Sequence, residues 1–391
     1  MTEALRRALL LIAALTIATA AQAATTLRIA LLQRDDDERL EPRRVELAYP
    51  GHPGGPLDAA INVALKEMRF ELDAAKLQVT LEVASARSAD EVKTRLLSLE
   101  RAGVAAVIVD LPAQWIASQA MVGKMPLLNA GAGDDALRGA ACQAHLFHTL
   151  PSERMAVDAL AQTLVARRWS RVLLLHGPRA DDLARLAGVQ AAVRRYGLKA
   201  VAVKAFKLSA DPRERDLANP RLLTGGLDYD AVWVVDTDGE FARTLPYRTA
   251  LPRPVVGDAG LTAQAWALHF ERFGAPQLER RFGRQAQRAM TGPDWAAWIA
   301  AKAVLQAALE TPASPTAESI RRALTRSDFT LDGFKGVRLS FRPWDRQLRQ
   351  PLLMSDGQGV IEIAPAEGVL HAKNVLDTLG ADAPESACKA K

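Results

Sequence analysis

Only two cysteines, Cys142 and Cys388, occur in 391 residues, which excludes a scaffold built on disulfides. No stretch beyond the first 23 residues is long and apolar enough to span a bilayer. Neither sign of charge dominates. Fifty basic residues face 45 acidic ones, a surplus too small to imply a nucleic-acid partner. No repeat of solenoid period and no low-complexity tract is present. Catalytic signatures are missing as well: there is no G-x-S-x-G, no H-E-x-x-H and no Walker A loop. Of the six histidines, His145 and His148 are close together but have no ligand cluster beside them. Gly131-Ala132-Gly133 begins like a dinucleotide loop, but position 136 is alanine, and an exported protein is a poor place for a soluble nicotinamide cofactor. The chain is therefore read as a non-enzyme.

The rest of the composition is that of an ordinary globular protein, 49% hydrophobic and 24% charged, and the length favours two domains. Arg6 and Arg7 precede an apolar run from Ala8 to Ala20, followed by the small-x-small site Ala21-Gln22-Ala23. That pattern predicts a signal peptide over residues 1–23, cleaved before Ala24, and a soluble exported monomer. The run is too short for a spanning anchor, and no cysteine follows the cleavage site to carry a lipid. In an oxidising compartment a Cys142–Cys388 bridge, tying the polar tail to the body, is favoured over two free thiols.

The middle of the chain alternates strand and helix. Strands are expected at 27–33, 77–83, 104–109 and 126–129, with helices at 57–76 and 88–102. Ser88 followed by Glu91 forms a capping-box pattern. A second run places helices at 152–168, 181–196 and 213–223, and strands at 171–176, 199–206, 229–235 and 253–256. Alternation of this kind predicts an α/β fold of βαβ units, with parallel sheets in two similar lobes. Residues 278–310 read as helix-rich, 316–326 as a short helix, and 333–341 and 351–363 as strands.

Acidic residues mark the carboxyl ends of these strands, where open parallel sheets bind ligands. Asp35-Asp36-Asp37 follows the first strand, Asp110 the third, and Asp134 the next. Asp236 and Asp238 follow the strand at 229–235, and Asp258 the one at 253–256. Turn and cap preferences account for about half of such a group, Asp134 and Asp181 being good cap candidates. The run Asp35–Asp37 needs an offset for its charge: solvent, neighbouring arginines or a cation. Oxygen-only clusters suit hard cations, so Asp35, Asp36, Asp37, Asp236 and Asp238 form a candidate calcium or lanthanide set. Asp35, Asp36, Asp37, Asp110, Asp134, Asp236 and Asp258 form the wider candidate lining of an acidic cleft. A small polyol, alcohol or amine would use the same carboxylates as hydrogen-bond acceptors, with a Trp or Tyr against its apolar face.

Several segments resemble the type I periplasmic binding proteins of ABC importers, the branched-chain amino-acid-binding group. They are Leu57–Glu67, Gly103–Asp110, Leu146–Ser152, and Asp332–Gly336 with Leu339–Phe341. The resemblance implies two Rossmann-like lobes joined by a hinge. Lobe 1 would comprise residues 24–148 and 259–341, and lobe 2 residues 149–258 and 342–385. It also implies a periplasmic location and an importer permease and ATPase as partners. Asp236–Phe241, Arg253–Gly257, Phe273–Gln277, Asp294–Trp298 and Phe341–Trp344 are similar to the subfamily associated with PQQ-dependent alcohol dehydrogenase systems. That similarity implies transport or sensing beside periplasmic alcohol oxidation, where a cation-supply role would fit. A non-transport sensor or accessory protein of the dehydrogenase system is the alternative it leaves. Amino-acid binders of the family present Ser and Thr hydroxyls to the ligand's carboxylate after the strand at 126–129. Here Asn129-Ala130-Gly131-Ala132-Gly133-Asp134-Asp135 stands instead, which argues against an amino-acid ligand.

Overall fold

A computed structural model describes residues 25–40, 54–118 and 124–389. The expected signal peptide lies outside them. Strands β1 (Thr25–Arg34), β2 (Leu77–Ala86), β3 (Ala106–Asp110), β4 (Leu127–Asn129) and β5 (Leu146–His148) form one parallel sheet in the order β2-β1-β3-β4-β5. Ile29 of β1 lies opposite Leu81 on one side and Ala106 on the other. Strand β3 is buried along its whole length, which explains its unbroken apolar run. Strands β6 (Arg171–His176), β7 (Lys199–Ala205), β8 (Ala231–Val235) and β9 (Val255–Gly257) form a second parallel sheet, ordered β7-β6-β8-β9. The remaining strands are β10 (Thr262–Gln264), β11 (Leu331–Asp332), β12 (Arg338–Phe341), β13 (Leu348–Arg349), β14 (Leu352–Ser355) and β15 (Val360–Ala364). They make two small sheets, β10-β14-β15 and β11-β12-β13, with antiparallel pairing.

Each parallel sheet has its own core. The helix Gly292–Leu309 packs with the helix Asp58–Glu67 over the first sheet, burying Trp295 and Trp298 with Ile61 and Leu31. The helices Glu153–Ala166 and Ala180–Arg195 cover the second, around Leu174, Trp233 and Val189. Leu150 still packs on the first core, whereas Met155 belongs to the second. Strand β14 touches both, sending Leu353 to the first core and Leu352 and Met354 to the second. Alternate side chains of a strand point to opposite faces, so one short strand joins two cores.

Several elements differ from expectation. The helix expected over 57–76 breaks at Met68 (ψ 8°) into Asp58–Glu67 and Arg69–Ala74. The helix expected at 213–223 divides into a 3-10 turn, Pro212–Ala218, and a short helix, Pro220–Thr224. Pro220 has no N–H to continue the preceding turn, and the Asn219 side chain accepts from Arg221 N instead (3.1 Å). In the helix-rich region Gln287, at φ 55°, ends Ala275–Ala286 before Gly292–Leu309 begins. Of the strand expected at 333–341 only Leu339 and its neighbours in Arg338–Phe341 pair, because Gly336 turns the chain at φ 80°. Ser88 caps its helix as expected, accepting from Glu91 N at 3.2 Å, but Glu91 reaches back to Arg87 N rather than to Ser88. At the helix Ala180–Arg195 it is Asp182, not Asp181, that accepts the entering N–H, from Arg179 (3.1 Å).

Cys142 and Cys388 form a disulfide across 246 residues of sequence, fastening the C-terminal segment beside the first sheet. Such a long closed loop removes much entropy from the unfolded chain. Reduction, or Cys388→Ser, is expected to lower stability by roughly 2–4 kcal/mol. Thermal unfolding with and without reductant checks this, and coincident curves would contradict it.

Candidate functional site

The segment after β1 and the loop after β4 face the carboxyl ends of β8 and β9 across a cavity of about 560 Å³. Its walls come from both sides: Arg39, Gly131 and Gly133 from the first, and the helices Glu153–Ala166 and Ala180–Arg195 with Trp233 and Asp258 from the second.

The loop after β4 is built by Asn129. Its Oδ1 accepts from Gly131 N (3.2 Å) and Ala132 N (2.9 Å), and its Nδ2 donates to Ala132 O (2.7 Å). Nδ2 also lies 3.1 Å from Nδ1 of buried His148, which places the histidine's proton on Nε2. Burial, with Arg138 nearby, holds the His148 imidazole well below its usual pKa. Gly131 is required here, because a Cβ would collide with the Asp110 carboxylate. Buried Arg138 then clamps the loop. It donates to Ala132 O (2.9 Å), Asp134 O (3.0 Å), Leu150 O (2.8 Å) and Gln347 Oε1 (2.9 Å). With no carboxylate in that set, burial pulls the Arg138 pKa down to about 10. The loop in turn satisfies the first amides of the next helix: Glu153 N donates to Gly133 O (2.8 Å) and Arg154 N to Asp135 Oδ1 (3.1 Å).

The acidic residues named from the sequence take different places. Asp35 and Asp36 turn to the surface toward Arg87, at 2.6 and 3.6 Å. Asp37 is gripped by Arg39, which donates to both of its oxygens and also reaches Asp110 at 2.9 Å. Burial works to raise the Asp37 pKa, but the Arg39 hydrogen bonds and charge hold it below the usual value. For Asp110 burial wins and the carboxyl is pushed up. Asp134 lies in the loop, where its carbonyl serves Arg138. Asp258 lines the cavity and forms a two-pronged pair with Arg185, at 2.8 and 2.5 Å. It also accepts from Asp236 N (2.7 Å). The Asp236 side chain lies beneath, accepting from Ala242 N (2.8 Å), and Asp238 points outward near Arg179. Burial, reinforced by Asp238 and Asp258, pushes the Asp236 carboxyl up to about 7.

The expected cation set does not assemble. Among the described residues no three Asp, Glu, His or Cys side chains gather as metal ligands. Asp35, Asp36 and Asp37 diverge, and Asp236 and Asp238 sit on the other wall. Arginines supply the offset that the sequence left open between solvent, arginine and metal. Sequence reasoning missed Arg39, Glu153, Arg185 and the apolar wall of Val157, Leu160, Val189 and Trp233. Arg39 was legible two residues after Asp37. The others lie on helix faces, or for Trp233 on strand β8, that nothing local marks as lining a cleft.

No protein-family model and no curated protein matches the chain. Solved structures match its fold. A branched-chain amino-acid ABC transporter periplasmic ligand-binding protein from Burkholderia xenovorans superposes with a TM-score of 0.71 at 14% identity, covering 93% of this chain and 99% of its own. A leucine-, isoleucine-, valine-, threonine- and alanine-binding protein from Brucella ovis, in a closed conformation, gives 0.66 at 15% identity, covering 94% and 100%. A solute-binding protein of an ABC transporter from R. palustris, in complex with benzoate, gives 0.66 at 11%, covering 93% and 99%. The fold is thus the type I periplasmic-binding-protein fold, and these neighbours are solute-binding proteins rather than enzymes. No helix among the described residues is long and apolar enough to cross a membrane.

Asp236 gives the site a stability signature. Its folded pKa, about 7, lies above the ordinary 3.8, so the fold favours the protonated form. That contribution is present at low pH and is lost as pH rises through 7. Asp236→Asn keeps an acceptor for Ala242 N and removes the titration. Its stability relative to wild type should rise between pH 5 and 8 by roughly 2–3 kcal/mol. Melting temperatures across that range test it, and parallel curves would contradict it.

Proposed function

We propose that this protein is the solute receptor of an ABC importer, taking a small organic ligand into the cavity between its two parallel sheets. One observation carries the reading: a cavity of about 560 Å³ at the carboxyl ends of strands from both sheets, within the range of small-molecule sites. On this reading residues 24–148 with 259–341 and residues 149–258 with 342–385 act as two lobes, with β14 near their hinge. An importer permease and ATPase are its partners, and the periplasm is its compartment. The stretches at Asp236–Phe241, Phe273–Gln277 and Phe341–Trp344 support a place beside PQQ-dependent alcohol oxidation. Calcium or a lanthanide is not the ligand we propose, because arginines already hold Asp35, Asp37, Asp110 and Asp258.

A thermal-shift panel tests the reading. It comprises short alcohols, diols, aldehydes, amines, carboxylic acids and amino acids, with calcium and lanthanum chloride on chelator-treated protein. At least one organic compound should raise the melting temperature, and the two salts should not. A response to the salts alone, or to nothing, would overturn the proposal.

A further inference from the structure

We propose that the solute is an organic ammonium ion with an apolar body, its charged head held by Glu153. This rests on the solute-receptor reading and adds the ligand's charge. The charges around the cavity carry it. Among the described residues four arginines line the cavity: Arg39, Arg154, Arg185 and Arg195. Each is already answered. Arg39 holds Asp37 and Asp110, Arg185 holds Asp258, Arg195 pairs with Asp158, and Arg154 pairs with Glu385 and lies 3.6 Å from Asp158. Among the described residues the carboxylates in these pairs, Asp37, Asp110, Asp158, Asp258 and Glu385, outnumber the four arginines.

Glu153 and Asp135 then add negative charge. Asp135 accepts the Arg154 amide. The Glu153 carboxylate is exposed to the cleft, and no lysine or arginine among the described residues forms an ion pair with it. Arg185, whose charge reaches it, is committed to Asp258. The cleft walls push the Glu153 carboxyl up, and Asp134, Asp135 and Asp258 add to that effect. A cationic donor would relieve this crowding, whereas an anion would have to displace a carboxylate from an existing arginine pair. Beside Glu153 the wall turns apolar, with Val157 and Leu160 on the same helix and Val189 and Trp233 opposite. Such a wall suits a hydrocarbon or ring rather than a hydrated metal ion.

Calorimetric titration of the full mature chain with hexylammonium, hexan-1-ol and hexanoate tests the charge at constant chain length. Hexylammonium should bind at least roughly tenfold more tightly than hexanoate, the scale of one charge-assisted hydrogen bond. Glu153→Gln should erase that preference. Glu153→Lys should reverse it toward hexanoate, a gain that a misfolded protein could not show. Equal or tighter binding of hexanoate to wild type, or unchanged hexylammonium affinity in Glu153→Gln, would overturn the assignment. If all three probes are silent while a panel compound without an ammonium group binds, the ammonium assignment falls and the receptor reading stands; binding of a panel amine in their place supports both. If the whole panel is silent, both fall.

Discussion

The guanidinium of Arg138 is the constraint on which the rest of the cleft depends. A buried arginine without a carboxylate partner is tolerable only if neutral acceptors surround it. Ala132 O and Asp134 O come from the loop after β4, Leu150 O from the passage between the two cores, and Gln347 Oε1 from the segment before β13. Gln347 completes the arrangement by donating to Leu150 O (3.1 Å) and His148 O (3.3 Å). The shape of the cavity-lining loop and the course of two chain passages are thereby solved together.

A second network lies close by. Buried Arg342 donates to Asp377 (2.9 Å), Leu376 O (2.9 Å) and Leu379 O (2.6 Å), docking the C-terminal segment on the passage after β12. The disulfide fixes the same segment farther along, and Glu385 pairs with Arg154 at the cavity wall. The tail is therefore part of the site's support. Lys335, wholly buried against the Trp295 ring at 3.6 Å, donates to Gln350 (2.8 Å) and Pro351 O (3.1 Å), joining the first core to the start of β14. Polar side chains carry much of the junction between the two cores, and strand β14 adds apolar contacts to both.

The cleft also shows why charge read along a chain misleads about binding. Asp35, Asp36 and Asp37 are consecutive, yet a turn at Asp36 (φ 55°) sends the first two toward Arg87 and the third inward to Arg39. Crowding that suggested a cation is dispersed by geometry and answered by arginine. Among the described residues lining the cavity, Asp135 and Glu153 form no ion pair with an arginine or lysine, and the place of Glu153 at the start of a helix gives it an ordinary structural explanation from sequence alone.

Local patterns sufficed for the strands of both parallel sheets except β5, for the Ser88 cap and for the alternation that implies parallel pairing, because periodicity and capping act between near neighbours, whereas the three residues of β5 are too few to carry a period. The resemblance added the fold type. Breaks at Met68 and Gln287 were not legible, since Met and Gln are both good helix formers and neither marks a helix end by its type. Tertiary structure alone decided which charges meet. Arg39 finds Asp110 across 71 residues, and Arg185 finds Asp258 across 73. Those encounters depend on the order β2-β1-β3 in one sheet and β6-β8-β9 in the other, and on how the two sheets face each other. No spacing along the chain encodes that, so the sequence by itself announced an acidic set of strand ends. Only the folded chain, by bringing arginines to some of them, determined which described carboxylates are paired and which stand unpaired beside the cavity.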